Sequence, residues 1–190
     1  AVLPKYTDGS VSLITETRAT KWQQLNKQNE KLKDLPKTEN IFQMHIDHGK
    51  EIKDGQYAYI VYSGSKSASK AFKQMPLKIE ANSKEVQAVT WEGEYLGAVF
   101  YNANAKLNTS LGEVSVSAPC AVLFERSKKG WDLTVTDAEM NLDIQSILVS
   151  TTIELTGDGV IRENGLNKVN VPMHRGKLTG KPAVVELSAK

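Results

Sequence analysis

Short apolar runs alternate with clusters of glycine, asparagine, aspartate and lysine along most of the chain. The runs are rich in valine, isoleucine, threonine, tyrosine and phenylalanine, which is typical of antiparallel strands joined by turns. The sequence therefore predicts an all-β protein. The predicted strands are Val11–Arg18, Ile41–Asp47, Tyr57–Tyr62, Leu77–Ala81, Val86–Trp91, Tyr95–Tyr101, Glu113–Val116, Cys120–Arg126, Trp131–Thr136, Ile147–Leu155, Lys168–Met173 and Ala183–Leu187.

Two stretches interrupt the strand pattern and divide the chain. Trp22–Lys37 is polar and rich in lysine, which predicts a long surface loop. Ser65–Gln74 contains helix formers and is followed by Pro76, which predicts a short connecting helix and then a stop. Pro76 is accordingly the predicted boundary between two domains, residues 1–75 and 76–190.

The two predicted domains differ in how complete they are. The strands after Pro76 fit a compact antiparallel β-sandwich, whereas the part before it supplies about three strands. Such a segment would expose its hydrogen-bonding edges and one apolar face. We expect it either to pack on the following sandwich or to complete a larger β-sandwich domain upstream. A first residue that is alanine, not methionine, agrees with the second interpretation.

Charge and composition exclude several classes of partner. The chain has 24 Lys and Arg against 22 Asp and Glu, a formal net charge of +2. This balance gives no field to attract a nucleic acid or an anionic membrane, so we expect neither as a partner. No apolar run is long enough for a transmembrane helix. Cys120 is the only cysteine, so no intrachain disulfide can form.

Two linked segments carry a family resemblance. Ile46-Asp47-His48-Gly49-Lys50, then Lys53-Asp54, leads into the aromatic run Tyr57–Tyr62. This resembles polysaccharide lyase family 8, the chondroitin and hyaluronan lyases, in which an Asp/His-His-Gly turn and a Pro/Lys-Asp spacer precede an aromatic strand near the end of the central β-domain. Upstream, Thr20 to Asn26 is similar to the family's Trp-x-x-Ile/Leu-Asn element.

The later part of the chain agrees with the same family. Glu85–Val89, Ala98–Tyr101 and Leu133–Asp137 look like successive strands of its small C-terminal sandwich. Two departures are visible: Ala138 stands where a proline often follows the aspartate, and Tyr62-Ser63-Gly64 replaces the usual Leu-Pro ending. Chondroitin, dermatan and hyaluronan therefore stay open as substrates.

The resemblance implies an assignment for each predicted domain. Residues 1–75 would be the C-terminal end of the central β-sandwich domain, and residues 76–190 the small C-terminal β-sandwich domain. The parent enzyme would cleave uronic-acid-containing glycosaminoglycans by β-elimination and would be secreted or periplasmic. Its partners would be the remainder of the lyase, namely the helical toroid and central β-domain, and the polysaccharide.

The catalytic groups of the family come from outside the part that this chain resembles. They are contributed by the N-terminal helical toroid, together with a glutamate of the upstream central domain. No motif here matches those positions, so the resemblance implies no catalytic residue in this chain. It implies no cofactor either.

Three aromatic residues are candidates for stacking on sugar rings. Trp91, Tyr95 and Trp131 have the flat rings with polar surroundings that carbohydrates favour. The alternative is core packing, which the position of both tryptophans in or beside alternating apolar strands favours. Glu92 and Glu94 beside Trp91 would repel a polyanion.

Asp47, His48 and Gly49 are interpreted as a structural turn, because glycine permits the chain to reverse and short polar side chains bond to nearby backbone groups. His45, Asp47 and His48 are also metal-ligand types. Strand alternation would send His45 and His48 to different faces, so the sequence predicts no metal site.

Three functions remain as alternatives. The first is a non-catalytic C-terminal β-region of a polysaccharide lyase. The second is an independent carbohydrate-binding module, which should expose an aromatic and basic groove. The third, a small enzyme using His45, Asp47 and His48, would require those side chains to converge in a pocket.

Overall fold

The computed structural model describes residues 5, 7–21, 36–63, 67, 70 and 75–188. The prediction of an all-β, antiparallel protein is confirmed, since every paired strand in this part of the chain is antiparallel to its neighbours. The chain forms two compact units, Ala1–Ala68 and Ser69–Lys190. The assignment of residues 1–75 and 76–190 to two lyase domains stays a prediction. No helix among the described residues is long and apolar enough to cross a membrane.

The first unit is built on a two-stranded ribbon. Strands β1 (Ser10–Lys21) and β2 (Pro36–Asp47) pair along their whole length, from Ser10 opposite Asp47 to Lys21 opposite Pro36. Both strands are longer than the sequence predicts. Pro36 and Lys37, predicted as the end of a loop, instead begin β2, where a proline is tolerated as the first residue. The rest of that loop and most of the helix predicted at Ser65–Gln74 lie outside the described residues.

The predicted strand Tyr57–Tyr62 is wrong. Within this segment only Tyr59 forms a bridge. The Thr7 hydroxyl donates to the carbonyl of Ala58 and accepts from its N–H, both at 3.1 Å. The N–H of Asp8 donates to the carbonyl of Gln56 at 2.9 Å, so the contacts made here combine side-chain and backbone hydrogen bonds.

The second unit contains two antiparallel sheets. One has six strands in the order β13-β9-β8-β5-β4-β3, and the other has five in the order β11-β12-β10-β7-β6. The strands are β3 (Leu77–Asn82), β4 (Val86–Trp91), β5 (Tyr95–Phe100), β6 (Lys106–Asn108), β7 (Glu113–Val116), β8 (Cys120–Ser127), β9 (Gly130–Thr136), β10 (Ser146–Thr151), β11 (Val160–Glu163), β12 (Leu166–Pro172) and β13 (Ala183–Ser188). The sequence prediction missed β6 and β11 and extended β10 too far.

Alternation of burial along the strands produces one core. In β4 and β5 the even-numbered residues are buried, and in β9 the odd-numbered ones are. The most deeply buried large side chains are Phe100, Phe124, Leu96, Leu107, Leu133, Ile147, Leu155 and Leu187. They come from both sheets, so the core lies between them as in a β-sandwich. All buried hydrophobic side chains of the described residues belong to this second unit.

Glu80 connects the two sheets. It lies at a bulge in β3, and its carboxylate accepts hydrogen bonds from the Thr90 hydroxyl at 2.8 Å and from the Ser110 hydroxyl at 2.6 Å. The Lys78 ammonium lies 2.8 Å away. Ser110 follows β6 of the other sheet, so one side chain, only 4% exposed, joins both layers.

The same contacts determine the protonation of Glu80. Burial by itself raises its pKa, but the hydrogen bonds from Lys78, Ser110 and Thr90 outweigh burial and hold the pKa at about 2, below the ordinary 4.5. A carboxyl group with a lowered pKa stabilises the folded state above its unfolded pKa. That contribution is lost as the pH falls from 4.5 through about 2.

We expect Glu80→Gln to lower the free energy of unfolding by about 2 to 3 kcal/mol at pH 7, because the pKa shift is linked to stability. The difference from the wild type should shrink by roughly half at pH 3, where much of the linked stabilisation has gone. Urea denaturation at both pH values measures it. The exposed Glu85→Gln is the control, and an equal loss at both pH values would contradict the role of the charge.

Candidate interaction surfaces

Trp131, one of the candidates for sugar stacking, is a core residue. It is 3% exposed, its ring meets that of Phe124 edge to face at 6.4 Å, and the Arg126 guanidinium lies 4.3 Å from its ring centroid. A ring enclosed in this way offers no face to a sugar. The core-packing alternative from the sequence therefore describes Trp131.

Trp91 and Tyr95 lie on the outer face of the six-stranded sheet. They are directly opposite each other across β4 and β5, and Tyr95 is 38% exposed while Trp91 is half-buried. On its other side Tyr95 is opposite Glu125 of β8. Stacking of a sugar on these two rings stays a prediction, and any ligand there would contact a carboxylate.

A row of mainly apolar residues crosses all six strands of this outer face. Successive pairs in the register are Ile79 with Val89, Val89 with Gly97, Gly97 with Leu123, Leu123 with Thr134, and Thr134 with Val184. We name this set the apolar row. Val89, Leu123 and Val184 are 41%, 37% and 61% exposed.

A row of carboxylates lies two residues further along the strands. Glu125 is opposite Asp132, and Asp132 is opposite Glu186, so three negative charges occupy neighbouring strands. We name this set the acidic row. None of its members forms an ion pair with any described residue. Like charges directly opposite each other destabilise a sheet.

The outer face of the five-stranded sheet has a different character. Its corresponding row runs from Lys106 to Ser115, Ser150 and Lys168 and ends at Ile161 of β11, which is 65% exposed. The first four side chains are polar, as expected for the solvent side of an antiparallel sheet. Exposed apolar rows are therefore not general on this sandwich, and the six-stranded sheet is distinctive.

The combination of an apolar and an acidic row restricts what the outer face can bind. Contiguous exposed apolar surface favours a protein partner. The acidic row repels polyanions and favours a cationic surface. This face was not predicted from the sequence. The available signal was apolar residues at both odd and even positions of β4 and β8, which indicates strands with two apolar faces.

The ribbon of the first unit has an amphipathic pattern of its own. Val11 is opposite Ile46, Leu13 opposite Met44, and Thr15 opposite Phe42, so these side chains share one side. We name the five apolar residues, Val11, Leu13, Phe42, Met44 and Ile46, the ribbon face. Leu13 and Phe42 are 65% and 66% exposed. Side chains this large are normally covered.

The segment interpreted as a structural turn makes local contacts. The Asp47 carboxylate accepts a hydrogen bond from the N–H of Gly49 at 2.8 Å, and Gly49 has a φ of 82° that favours glycine. The His48 ring lies 6.2 Å from that of Tyr57, and the His45 Nε2 lies 3.3 Å from Gln43. Among the described residues, no group of three His, Cys, Asp or Glu side chains could hold a metal ion.

The acidic row yields a stability prediction. Asp132→Asn should raise the free energy of unfolding of the isolated chain by about 0.5 kcal/mol, because it removes the charge that faces carboxylates on both sides. Chemical denaturation at low salt measures this. Asp158→Asn, in an exposed turn, is the control. A loss of stability on Asp132→Asn would mean that the carboxylates do not repel one another.

The fold defines a class of protein: a two-sheet antiparallel β-sandwich that follows a two-stranded ribbon in the sequence. Residues 78–144 match the family described as polysaccharide lyase family 8, C-terminal β-sandwich domain. Chondroitinase-AC from Pedobacter heparinus is 32% identical over 119 residues, which are 61% of this chain and 16% of that protein. Residues 78–144 are therefore similar to the C-terminal β-sandwich domain of polysaccharide lyase family 8, and the chain resembles a chondroitinase over 119 residues.

Solved structures with the same fold extend the comparison. A chondroitinase AC lyase superposes with a TM-score of 0.73 at 22% identity, over 93% of this chain and 25% of the other. The chondroitin AC lyase of Streptomyces coelicolor superposes with a TM-score of 0.70 at 17% identity, over 100% of this chain and 25% of the other. A Paenibacillus xanthan lyase superposes with a TM-score of 0.68 at 19% identity, over 95% of this chain and 18% of the other. The chain thus spans a quarter or less of these relatives.

Proposed function

We propose that this chain is the non-catalytic C-terminal β-region of a lyase that cleaves uronic-acid-containing glycosaminoglycans, such as chondroitin sulfate and hyaluronan, by β-elimination. Its structural role is to complete a β-domain and to support the catalytic body. The relatives named chondroitinase support the substrate class. A secreted or periplasmic location goes with this proposal, because such polysaccharides are extracellular.

The observation that carries the proposal is the exposed ribbon face. An isolated two-stranded ribbon is at best marginally stable in water, and burying a large apolar side chain stabilises by about 1.5 to 3 kcal/mol. Leu13 and Phe42 are mostly exposed, and no described residue of the first unit is a buried hydrophobic. The first unit therefore needs apolar surface from elsewhere, which a longer lyase would provide.

The three titratable groups with shifted pKa values have structural roles. Glu80 connects the sheets, Glu163 is held by Lys168, and burial together with the charge of Asp137 raises the pKa of Cys120 to about 12. None of the three is assigned as the base, the acid or the uronate-neutralising group that β-elimination needs.

A second candidate is an independent carbohydrate-binding module. Tyr57 and Tyr59 favour it: they are 56% and 49% exposed, and their rings lie 14° from parallel with centroids 6.3 Å apart. Exposed flat aromatic rings are suited to sugars. This candidate predicts binding of chondroitin sulfate by the isolated chain, which Tyr59→Ala would weaken.

The isolated chain should release no unsaturated uronide from chondroitin sulfate or hyaluronan, because it supplies no complete catalytic set. Absorbance of the product measures the reaction, with the intact lyase as the positive control. Activity of the isolated chain that His48→Ala abolishes would move the active site into this chain. Inactivity of the intact lyase on both polymers would instead overturn the substrate class.

Phe42→Lys should lower the thermal midpoint of the intact lyase by several degrees, because a charge would enter a buried face. Ser12→Lys, on the opposite side of the ribbon, is the matched control. Differential scanning calorimetry measures both. If the two variants had the same small effect, the ribbon face would be solvent-exposed in the intact enzyme and the structural role would be lost.

A further inference from the structure

We infer that the outer face of the six-stranded sheet is a second docking surface, and that its occupant is a part of the parent lyase outside this chain with apolar side chains flanked by lysine or arginine. This inference rests on the proposed function. The surface belongs to the second unit and includes no residue of the ribbon face.

The residues of the apolar row are linked across the sheet by the strand register. Directly opposite side chains in an antiparallel sheet have Cβ atoms about 4.5 to 5.5 Å apart. The apolar row runs through five consecutive register pairings from Ile79 to Val184, with Gly97 and Thr134 between its apolar side chains. A methyl carbon of Val89 lies 3.9 Å from the position that a Cβ of Gly97 would take, so Val89 lies over this glycine. Trp91, Tyr95 and Val99 are on the same face, so the exposed side chains share one surface of the sheet.

The sandwich has a buried core that does not include the outer face of the six-stranded sheet. The core already contains Phe100, Phe124 and Leu133, each at most 1% exposed, on the inner face of the same sheet. The other sheet has a polar outer row from Lys106 to Lys168 and is just as regular. Apolar residues on the outer face thus favour contact with a partner.

The acidic row determines the charge that a partner surface must carry. The acidic row places three carboxylates in register at the border of the patch, an arrangement that costs stability in the isolated domain. A cationic partner would convert this repulsion into attraction. The partner surface is accordingly both apolar and basic.

Three occupants of this face can be compared: a glycosaminoglycan, a second copy of this chain and the body of the parent lyase. A glycosaminoglycan is a polyanion, which the acidic row repels. A second copy would present the same face in a symmetric dimer. Among the described residues, however, the strand positions that point outward on this sheet hold no lysine or arginine. The relatives are at least four times as long as the matched region, so a lyase body of their kind has surface available.

Cysteine accessibility tests the docking surface directly. Val89→Cys and Leu123→Cys probe the apolar row, and Asn170→Cys, exposed on the outer face of the other sheet, is the matched control. Native Cys120 stays silent, because it is 3% exposed and burial raises its pKa to about 12. Thiol labelling at pH 8 is compared between the isolated chain and the intact lyase.

Labelling at positions 89 and 123 should be at least tenfold slower in the intact lyase than in the isolated chain, with position 170 unchanged. Equal rates at 89 and 123 in both forms would overturn the inference. So would slowing in the isolated chain on adding chondroitin sulfate or raising the protein concentration, which would assign the face to polysaccharide or to a second copy.

A charge reversal gives a second, independent readout. Asp132→Lys should lower the thermal midpoint of the intact lyase while raising that of the isolated chain, and Glu113→Lys on the other sheet should change neither in this opposed way. A rise of the thermal midpoint in both the intact lyase and the isolated chain would contradict a cationic partner surface. Activity of the wild-type intact lyase on chondroitin sulfate tests the proposed function separately from both measurements.

Discussion

Packing of the two inner sheet faces is the interaction on which the second unit depends. Phe100, Phe124, Leu133 and Ile147 come from four different strands of the two sheets, and burying them fixes the register of both sheets. A slip by one residue would turn each core residue outward. Register in turn decides what lies on the outer faces, so the apolar and acidic rows are consequences of the same constraint that builds the core.

The sequence predicts most strands of this fold because alternation along four or more residues is visible without a structure. It failed where that signal is short or where pairing depends on distant residues. Lys106–Asn108 has only three residues, and the four residues of Val160–Glu163 do not alternate between apolar and polar. Tyr57–Tyr62 has the composition of a strand, but both backbone groups of Ala58 bond to the Thr7 hydroxyl, a contact with a distant residue that no local pattern reveals.

The interaction surfaces were less predictable than the fold, for a related reason. The burial of Trp131 follows from the alternation within β9, and local sequence anticipates it as one alternative. Glu125, Asp132 and Glu186 are separated by several to many residues, and only the pairing of β8, β9 and β13 brings them into one row. Which residues share a surface across several strands can be predicted only when the strand register is known.

The two exposed surfaces differ in what they imply about the parent protein. The ribbon face belongs to a unit with no buried hydrophobic among its described residues, so covering it is a condition for that unit to be stable. The apolar row belongs to a sandwich with a core of its own, so the packing of that sandwich does not depend on a covered outer face. The two surfaces therefore differ in kind, because one lies on a unit without a buried hydrophobic among its described residues and the other on a unit that contains many.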